Sequence, residues 1–296
     1  MKHKACFAKK KWHSNFWGWF FVSPQLLLVI VFYLIPIIKV CIDAFYYVDP
    51  FGIHSNFAGF NNFIDLFHDA HYLDALKTTM ILIVAIVFVT TVLGLLVALA
   101  LQIAVKLRTF YKMLLLWPYA VSSATAAILW RFILHPSSGW LSEILMKYNL
   151  KFNYFINPVA AKIAIVIVAV WQQLSYNILF FFIALEAIPG TLIEAAKLDG
   201  ASAWQRFWHV RFHMIKPTLL FLGLINALYA CFDTFSLIDL LTAGGPGNQT
   251  TTLLYKIYKD GFLGMDWSSA AAQSVLLMLA VIFISIFYQE KQTEYD

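Results

Sequence analysis

Side chains able to do chemistry are plentiful in this sequence, but their spacing rarely completes a reactive set. His209 and His213 stand four apart, which puts two imidazoles on one helical face, yet no cysteine or carboxylate lies near enough to fill a metal's coordination sphere. The eight histidines include no H-E-x-x-H, and no G-x-S-x-G elbow presents a serine as nucleophile. Gly244-Gly245-Pro246-Gly247-Asn248 is glycine-rich, but the chain contains no Gly-Lys pair. Without that lysine no Walker A loop can cradle a nucleotide phosphate, and the segment reads as a turn. The three cysteines, Cys6, Cys41 and Cys231, are odd in number and far apart, so no disulfide framework is expected. No metal, cofactor or catalytic set is predicted for this chain.

What remains is polar chemistry in apolar surroundings. Gln172, Gln173, Ser175, Tyr176 and Asn177 interrupt one apolar run, and Asn226, Tyr229 and Asp233 fall on one helical face of another. Arg131 and Asp233 are the ionisable ones. A charge at the centre of a bilayer costs about 2.5–3.5 kcal/mol on insertion scales, so each requires a reason. Two reasons compete. The polar groups are interhelical glue, at ~0.6 kcal/mol per hydrogen bond, or they line a path for a polar solute. Gln172, Tyr176, Asn177 and Asn226 have the depth for such a path, with Asp233 and Arg131 nearer its outer mouth, where snorkelling is the alternative for Arg131.

The elements that must position these residues follow from composition. Of 296 residues 61% are hydrophobic and 12% charged, half the ~25% charge of a soluble domain, and the mean hydropathy is +0.73. Such a chain must face lipid. Its net charge of +5 is not gathered on one aromatic-interleaved element, so no nucleic-acid partner is expected. Six stretches reach the ~20 apolar residues that span a bilayer: 17–38, 79–105, 112–133, 160–185, 216–240 and 268–288. The expected fold is an all-α integral membrane protein of six transmembrane helices. Residues 1–15 form a basic tail, 16–289 the membrane domain, 189–215 a loop between helices 4 and 5, and 290–296 a second tail.

Most of the 21 cations fall in the tails and in the 2–3 and 4–5 loops, among them Lys2, Lys4, Lys9, Lys10, Lys11, Lys106, Arg108, Lys112 and Lys291. Between Val40 and Leu76 there is none, and Asp43, Asp49, Asp65, Asp69 and Asp74 stand there instead. The positive-inside rule therefore places both termini in the cytoplasm, with 40–76, 134–159 and 241–267 outside. The first span is too long for a signal-peptide core and no A-x-A site follows it, so it reads as an uncleaved anchor. Pro24, Pro36, Pro118 and Pro217 read as kinks tolerated in a bundle.

The 4–5 loop carries the most specific pattern. Pro189-Gly190 ends span 4, and Thr191-x-x-Glu194 has the form of a capping box for a new short helix, which Gly200 is placed to stop in the left-handed conformation. Ser202-x-x-Gln205 is a second box, opening a helix with Trp204, Phe207, Trp208 and Arg211 at helical spacing. These features predict a helix-turn-helix on the cytoplasmic surface. By spacing alone, an amphipathic loop seated among lipid headgroups accounts for them equally well.

Glu194-Ala195-Ala196-x-x-Asp199-Gly200-Ala201, followed by Phe207, Val210 and Pro217, resembles the EAA loop of binding-protein-dependent ABC importer permeases. Val48-Asp49-Pro50-Phe51-Gly52, Trp117-Pro118-Tyr119-Ala120-Val121, Phe232-Asp233-Thr234-Phe235 and Gly244-Gly245-Pro246 extend the resemblance over nearly the whole chain, toward the carbohydrate-uptake group. His213 departs from it, standing where the family has proline.

The resemblance implies an inner-membrane permease subunit working by alternating access, with Glu194, Ala195, Ala196, Asp199, Gly200 and Ala201 as the coupling helix that docks on the ATPase. It implies as partners a second homologous permease, a homodimeric cytoplasmic ATPase that binds ATP and Mg, an extracytoplasmic solute-binding protein, and membrane lipid. Glycerol-3-phosphate or a glycerophosphodiester is the implied solute, and another sugar or oligosaccharide the alternative. A secondary transporter is more distant, because it leaves the EAA-like loop without a purpose.

Overall fold

A computed structural model describes residues 15–50, 55–103, 113, 115–148 and 152–293. The basic residues expected in the first tail, at 106, 108 and 112 and at 151, together with Cys6, lie outside the described residues. Among the described residues five helices are long and apolar enough to cross a membrane: Gly18–Asp43, Ala70–Gln102, Pro158–Glu186, Ala203–Asp233 and Trp267–Ile286.

The first of these runs as α1 (Asn15–Val29), a π-helical turn at Ile30–Leu34, and α2 (Ile35–Asp43). No residue from 18 to 43 is buried within the chain. A hairpin follows, β1 (Tyr46–Val48) antiparallel to β2 (Ser55–Phe57) with Tyr46 opposite Phe57. The all-α expectation omitted it, since strands of three residues leave no readable alternation. Then come α3 (Asn61–His68) and α4 (Ala70–Ile103).

The third expected span is not one continuous helix among the described residues. Trp117–Ala120 form a 3₁₀ turn around Pro118, Val121 is extended, and Ser122 caps α5 (Ser123–Ile133) by accepting the Thr125 N–H. Proline removes a helical donor and Ser122 supplies a fresh start, so the helix breaks between them. After α6 (Trp140–Lys147), α7 (Pro158–Glu186) crosses as a single rod opened by Asn157, whose side chain accepts from Val159 and Ala160.

The fifth span also differs from expectation. It begins at Ala203, not at Pro217, and runs as α9 (Ala203–Arg206), a π-helical turn at Phe207–Arg211, α10 (Phe212–Leu228) and a second π-helical turn at Tyr229–Asp233. The second helix of the loop is thus the first turn of the span, and Pro217 is absorbed in its interior without ending it. The chain closes with α11 (Leu253–Tyr258) and α12 (Trp267–Thr293).

α4 and α7 form the centre of the bundle. Small residues let them approach: Ala160, Ala161, Ala164 and Ala169 are buried along α7 with Leu82 and Ile86 of α4. At Gly94 of α4 an added Cβ would lie 2.7 Å from the Asn177 Cβ. Apolar burial drives little association where the solvent is itself hydrocarbon, so close backbone contact and hydrogen bonds hold such crossings. One end of the bundle carries the hairpin, α3 and α11; the opposite end carries the 189–202 loop.

Candidate functional site

At the loop end, α8 (Gly190–Leu198) follows Pro189. The Thr191–Glu194 capping box does not form. The helix starts at Gly190, two residues before a Thr191 cap would start it, so Thr191 lies inside the first turn and Pro189 is a cap without a side-chain bond. The stop at Gly200 does form, at φ +80°. Ala201 N–H reaches the Ala196 carbonyl (3.0 Å) and Gly200 N–H that of Lys197 (3.1 Å), the paired bonds of a Schellman motif. The Ser202/Gln205 box is complete, with Ser202 N–H donating to Gln205 Oε1 at 2.8 Å and Gln205 N–H to Ser202 Oγ at 3.3 Å.

α8 has no buried residue. Ile193 rests against the lower core, while Glu194, Ala195, Asp199 and Gly200 are exposed and Ala196 and Ala201 half-buried. Leu198 is 89% exposed. Beside it Trp204, Trp208 and Phe212 stack in sequence, with ring centroids 5.5 and 4.8 Å apart. His209 and His213 each turn Nδ1 to a backbone carbonyl, of Gln205 and Trp208. Among the described residues no three His, Cys, Asp or Glu side chains gather as a metal-ligand set.

Gln172 is the central residue of the 29-residue α7. Its Nε2 donates to the Val121 carbonyl (2.9 Å), its Oε1 accepts from Tyr229 (3.1 Å), and Ser175 Oγ donates to the Leu115 carbonyl (2.6 Å). The broken third segment frees carbonyls from regular helical pairing, and the polar side chains of α7 satisfy them, as backbone at membrane depth requires. Asn177 and Asn226 bond each other, and Asn226 Nδ2 also lies 3.4 Å from Thr91 Oγ1. Tyr176 is half-buried and stacks on Tyr119 at 5.5 Å. Arg131 is exposed and donates to the Leu240 carbonyl at 3.0 Å. The sequence-predicted polar residues are therefore brought together in part: Gln172, Asn177 and Asn226 face neighbouring helices, Tyr176 is half-buried against Tyr119 and Phe180, and Arg131 and Asp233 are exposed.

Asp233 borders an open cleft of about 630 Å³. Ser122, Ser123 and Ala124 at the start of α5, Phe232, Phe235 and Ser236, and Leu254, Ile257, Tyr258 and Phe262 complete its lining. Sequence reasoning named only Asp233. The other walls lie more than a hundred residues apart along the chain, and the break that exposes Ser122 and Ser123 was read as a kink.

At the hairpin end Lys256 is almost fully buried between two carboxylates, Asp69 at 3.0 Å and Asp260 at 2.8 Å, with Gln273 donating to Asp260 at 2.6 Å. Burial pushes the Asp69 carboxyl up, but its bonds from Lys256 and the His71 N–H prevail and hold it below its ordinary value. Burial likewise opposes the Lys256 charge, and the two carboxylates overcome it, raising the ammonium above the usual lysine range.

Residues 12–291 match the family described as "Binding-protein-dependent transport system inner membrane component". The chain is 41% identical over 292 residues to the sn-glycerol-3-phosphate transport system permease protein UgpA of Salmonella typhimurium, covering 98% of this chain and 99% of that one. It is 43% identical over 277 residues to the protein of the same name from Rhizobium meliloti, covering 93% and 94%. Among solved structures it is similar to a bacterial ABC transporter involved in the import of the acidic polysaccharide alginate, with TM-score 0.81, 22% identity, and 95% and 96% of the two chains covered. A further structure of the alginate transporter, in complex with alginate pentasaccharide-bound periplasmic protein, aligns with TM-score 0.80 at 22% identity over 93% of each chain. With a family match spanning nearly every residue, the chain belongs to the binding-protein-dependent transport system inner membrane components.

Proposed function

We propose that this chain is the permease subunit of an ATP-driven importer that carries sn-glycerol-3-phosphate, or a glycerophosphodiester built on it, into the cytoplasm by alternating access. The observation that carries this reading is identity of 41–43% over nearly the full length with permeases named for that solute. The chain hydrolyses nothing itself. ATP and Mg belong to a homodimeric ATPase, which docks on α8 through Glu194, Ala195, Ala196, Asp199, Gly200 and Ala201. The exposure of this helix, Leu198 above all, supports that role. The loop end is cytoplasmic with both termini, and the hairpin end faces the solute-binding protein. A second, homologous permease completes the path. Asp233, Tyr176 and Arg131 face the solute on this subunit's side, with Gln172, Asn177 and Asn226 as the layer that supports them.

One observation favours a neutral sugar as second reading: the cleft offers a carboxylate and aromatic rings, and no lysine, arginine or histidine lines it. Reconstituting the chain with its genomic neighbours, the second permease, ATPase and binding protein, tests both. ATP hydrolysis stimulated by sn-glycerol-3-phosphate supports the first; stimulation by a neutral disaccharide alone overturns it.

A further inference from the structure

Among the described residues Asp233 is the single charged group lining its cleft, and no ion pair or hydrogen bond engages its carboxylate. A carboxylate kept for structure would make an ion pair or a hydrogen bond, and this one faces the open cleft instead. A proton relay would need a second titratable group in line with it. Tyr229, four residues earlier on the same turn, spends its hydroxyl on Gln172, and no hydrogen bond joins Tyr258 of the same cleft to the carboxylate. The backbone adds a separate indication. Asp233 ends the π-helical turn Tyr229–Asp233, and such turns widen a helix and are frequent at functional sites.

What a lone carboxylate takes is decided by its chemistry. Ionised, it only accepts hydrogen bonds, and its two oxygens suit two adjacent donors. A glycerol phosphate offers two unlike ends: a vicinal diol, which donates, and a phosphate, which is anionic and cannot. The sign of the charge excludes the phosphate from Asp233 and leaves the diol. Phe232, Phe235 and Tyr258 supply apolar faces for the carbon chain beside it.

Resting on the solute proposed above, we infer that Asp233 is a specificity residue that accepts the vicinal diol, so that the solute enters this subunit diol-first with its phosphate turned toward the rest of the complex. The absence of a cation from the cleft is then a consequence of orientation, since the phosphate never meets this wall.

The test is a chemical double cycle on the complete complex in proteoliposomes. Uptake of sn-glycerol-3-phosphate and of 3-hydroxypropyl phosphate, which lacks the middle hydroxyl, is measured for the wild type, Asp233→Asn and Asp233→Glu. The binding protein is the same throughout, so its own preference cancels in the ratio. Loss of a charge-assisted bond predicts that Asp233→Asn reduces uptake of the diol about tenfold more than uptake of the analogue, whereas Asp233→Glu, which keeps the carboxylate, leaves the ratio near that of the wild type. If the Asn protein does not assemble, Asp233→Ser is measured in its place with the same expectation. Equal losses for both solutes in the neutral variant overturn the assignment of Asp233 while leaving the solute intact. Failure of the wild type to take up sn-glycerol-3-phosphate overturns the solute, and this assignment with it.

Discussion

Asn177 and Asn226 meet amide to amide where α7 and α10 cross, each Nδ2 donating to the other's Oδ1 at 2.9 Å, with both side chains wholly buried. Neither has water as an alternative partner. Replacing one leaves the other's buried Oδ1 without a donor, although Asn177 Nδ2 keeps the Gln173 carbonyl (3.0 Å) and Asn226 Nδ2 keeps Thr91, and a buried acceptor left unpaired costs more than the net worth of a single bond. Asn226→Leu is expected to lower stability by about 1–2 kcal/mol, and the Asn177→Leu/Asn226→Leu double variant to lose less than the sum of the singles. Thermal unfolding of the purified protein in lipid nanodiscs measures both, and strict additivity would show that the pair is not coupled.

The same crossing depends on Gly94, where a methyl group would stand 2.7 Å from Asn177 Cβ. Both atoms belong to stiff helices, so neither can give way by rotating a side chain. Gly94→Ala is expected to cost about 1–3 kcal/mol through overpacking, read in the same unfolding assay. An unchanged midpoint would mean that α4 and α7 separate freely.

Gly200 has open space around it, so any effect of substitution there comes from its φ of +80° and not from a clash. A non-glycine residue pays about 1–2 kcal/mol for the left-handed conformation, and asparagine pays least. Solute-stimulated ATP hydrolysis is expected to fall in the order Asn, Ala, Val, with Gly200→Val close to unstimulated though still inserted. Equal, full stimulation in all three would detach the Schellman turn from coupling.

Lys256 of α11 ties the α3–α4 junction at Asp69 to Asp260, which Gln273 of α12 also holds. Lys256→Met leaves Asp69 and Asp260 facing each other and is expected to destabilise by ~2–3 kcal/mol, below the full buried-pair cost because the two carboxylates stay 34% and 24% exposed. The pH dependence follows from both shifts. Asp69 is held low, so its contribution is present above the ordinary carboxylate range and lost as pH falls through the depressed value. Lys256 is held high, so its contribution is present below the ordinary lysine value and lost as pH rises through the raised one. The wild type should therefore outlast Lys256→Met in thermal unfolding across neutral pH, with the gap closing at both extremes.

Orientation is open to direct labelling. Single cysteines at Asn61 and Gln249, both exposed at the hairpin end, in a background without Cys6, Cys41 and Cys231, are expected to react with an impermeant thiol reagent in cells whose outer membrane has been opened. Protection until the inner membrane is permeabilised would invert the topology.

Much of this was legible in the sequence because it rests on local chemistry. Apolar runs located α4, α7 and α12, the Ser202–Gln205 box marked a helix start, and Gly200 marked a helix end. What escaped was decided by competition between signals. Thr191 and Glu194 have capping-box spacing, but Gly190 had already begun the helix. Pro217 reads as a boundary, yet the box at Ser202 starts a helix that runs through it. Pro118 reads as a kink, but with Ser122 four residues on it becomes a full break, and only the tertiary structure shows that Gln172 and Ser175 are there to satisfy the carbonyls this break leaves. Sequence alone placed Asp233 on a helical face; its cleft, built from three distant segments, had no local signature.

The helix from Ala203 to Asp233 has a mechanical consequence. Its 31 residues make a strut about 46 Å long, with Trp204 beside the proposed coupling turn at one end and Asp233 at the other. A hydrogen-bonded helix hardly compresses along its axis, so a push delivered at Trp204 arrives at Asp233 as translation or rotation of nearly the same size. The two joints with play are the π-helical turns at Phe207–Arg211 and Tyr229–Asp233, where a turn holding one residue more than its neighbours can tighten or relax. One lies just inside the loop end and the other carries the carboxylate itself, with Pro217 between them as the one interior position where a backbone hydrogen bond is missing.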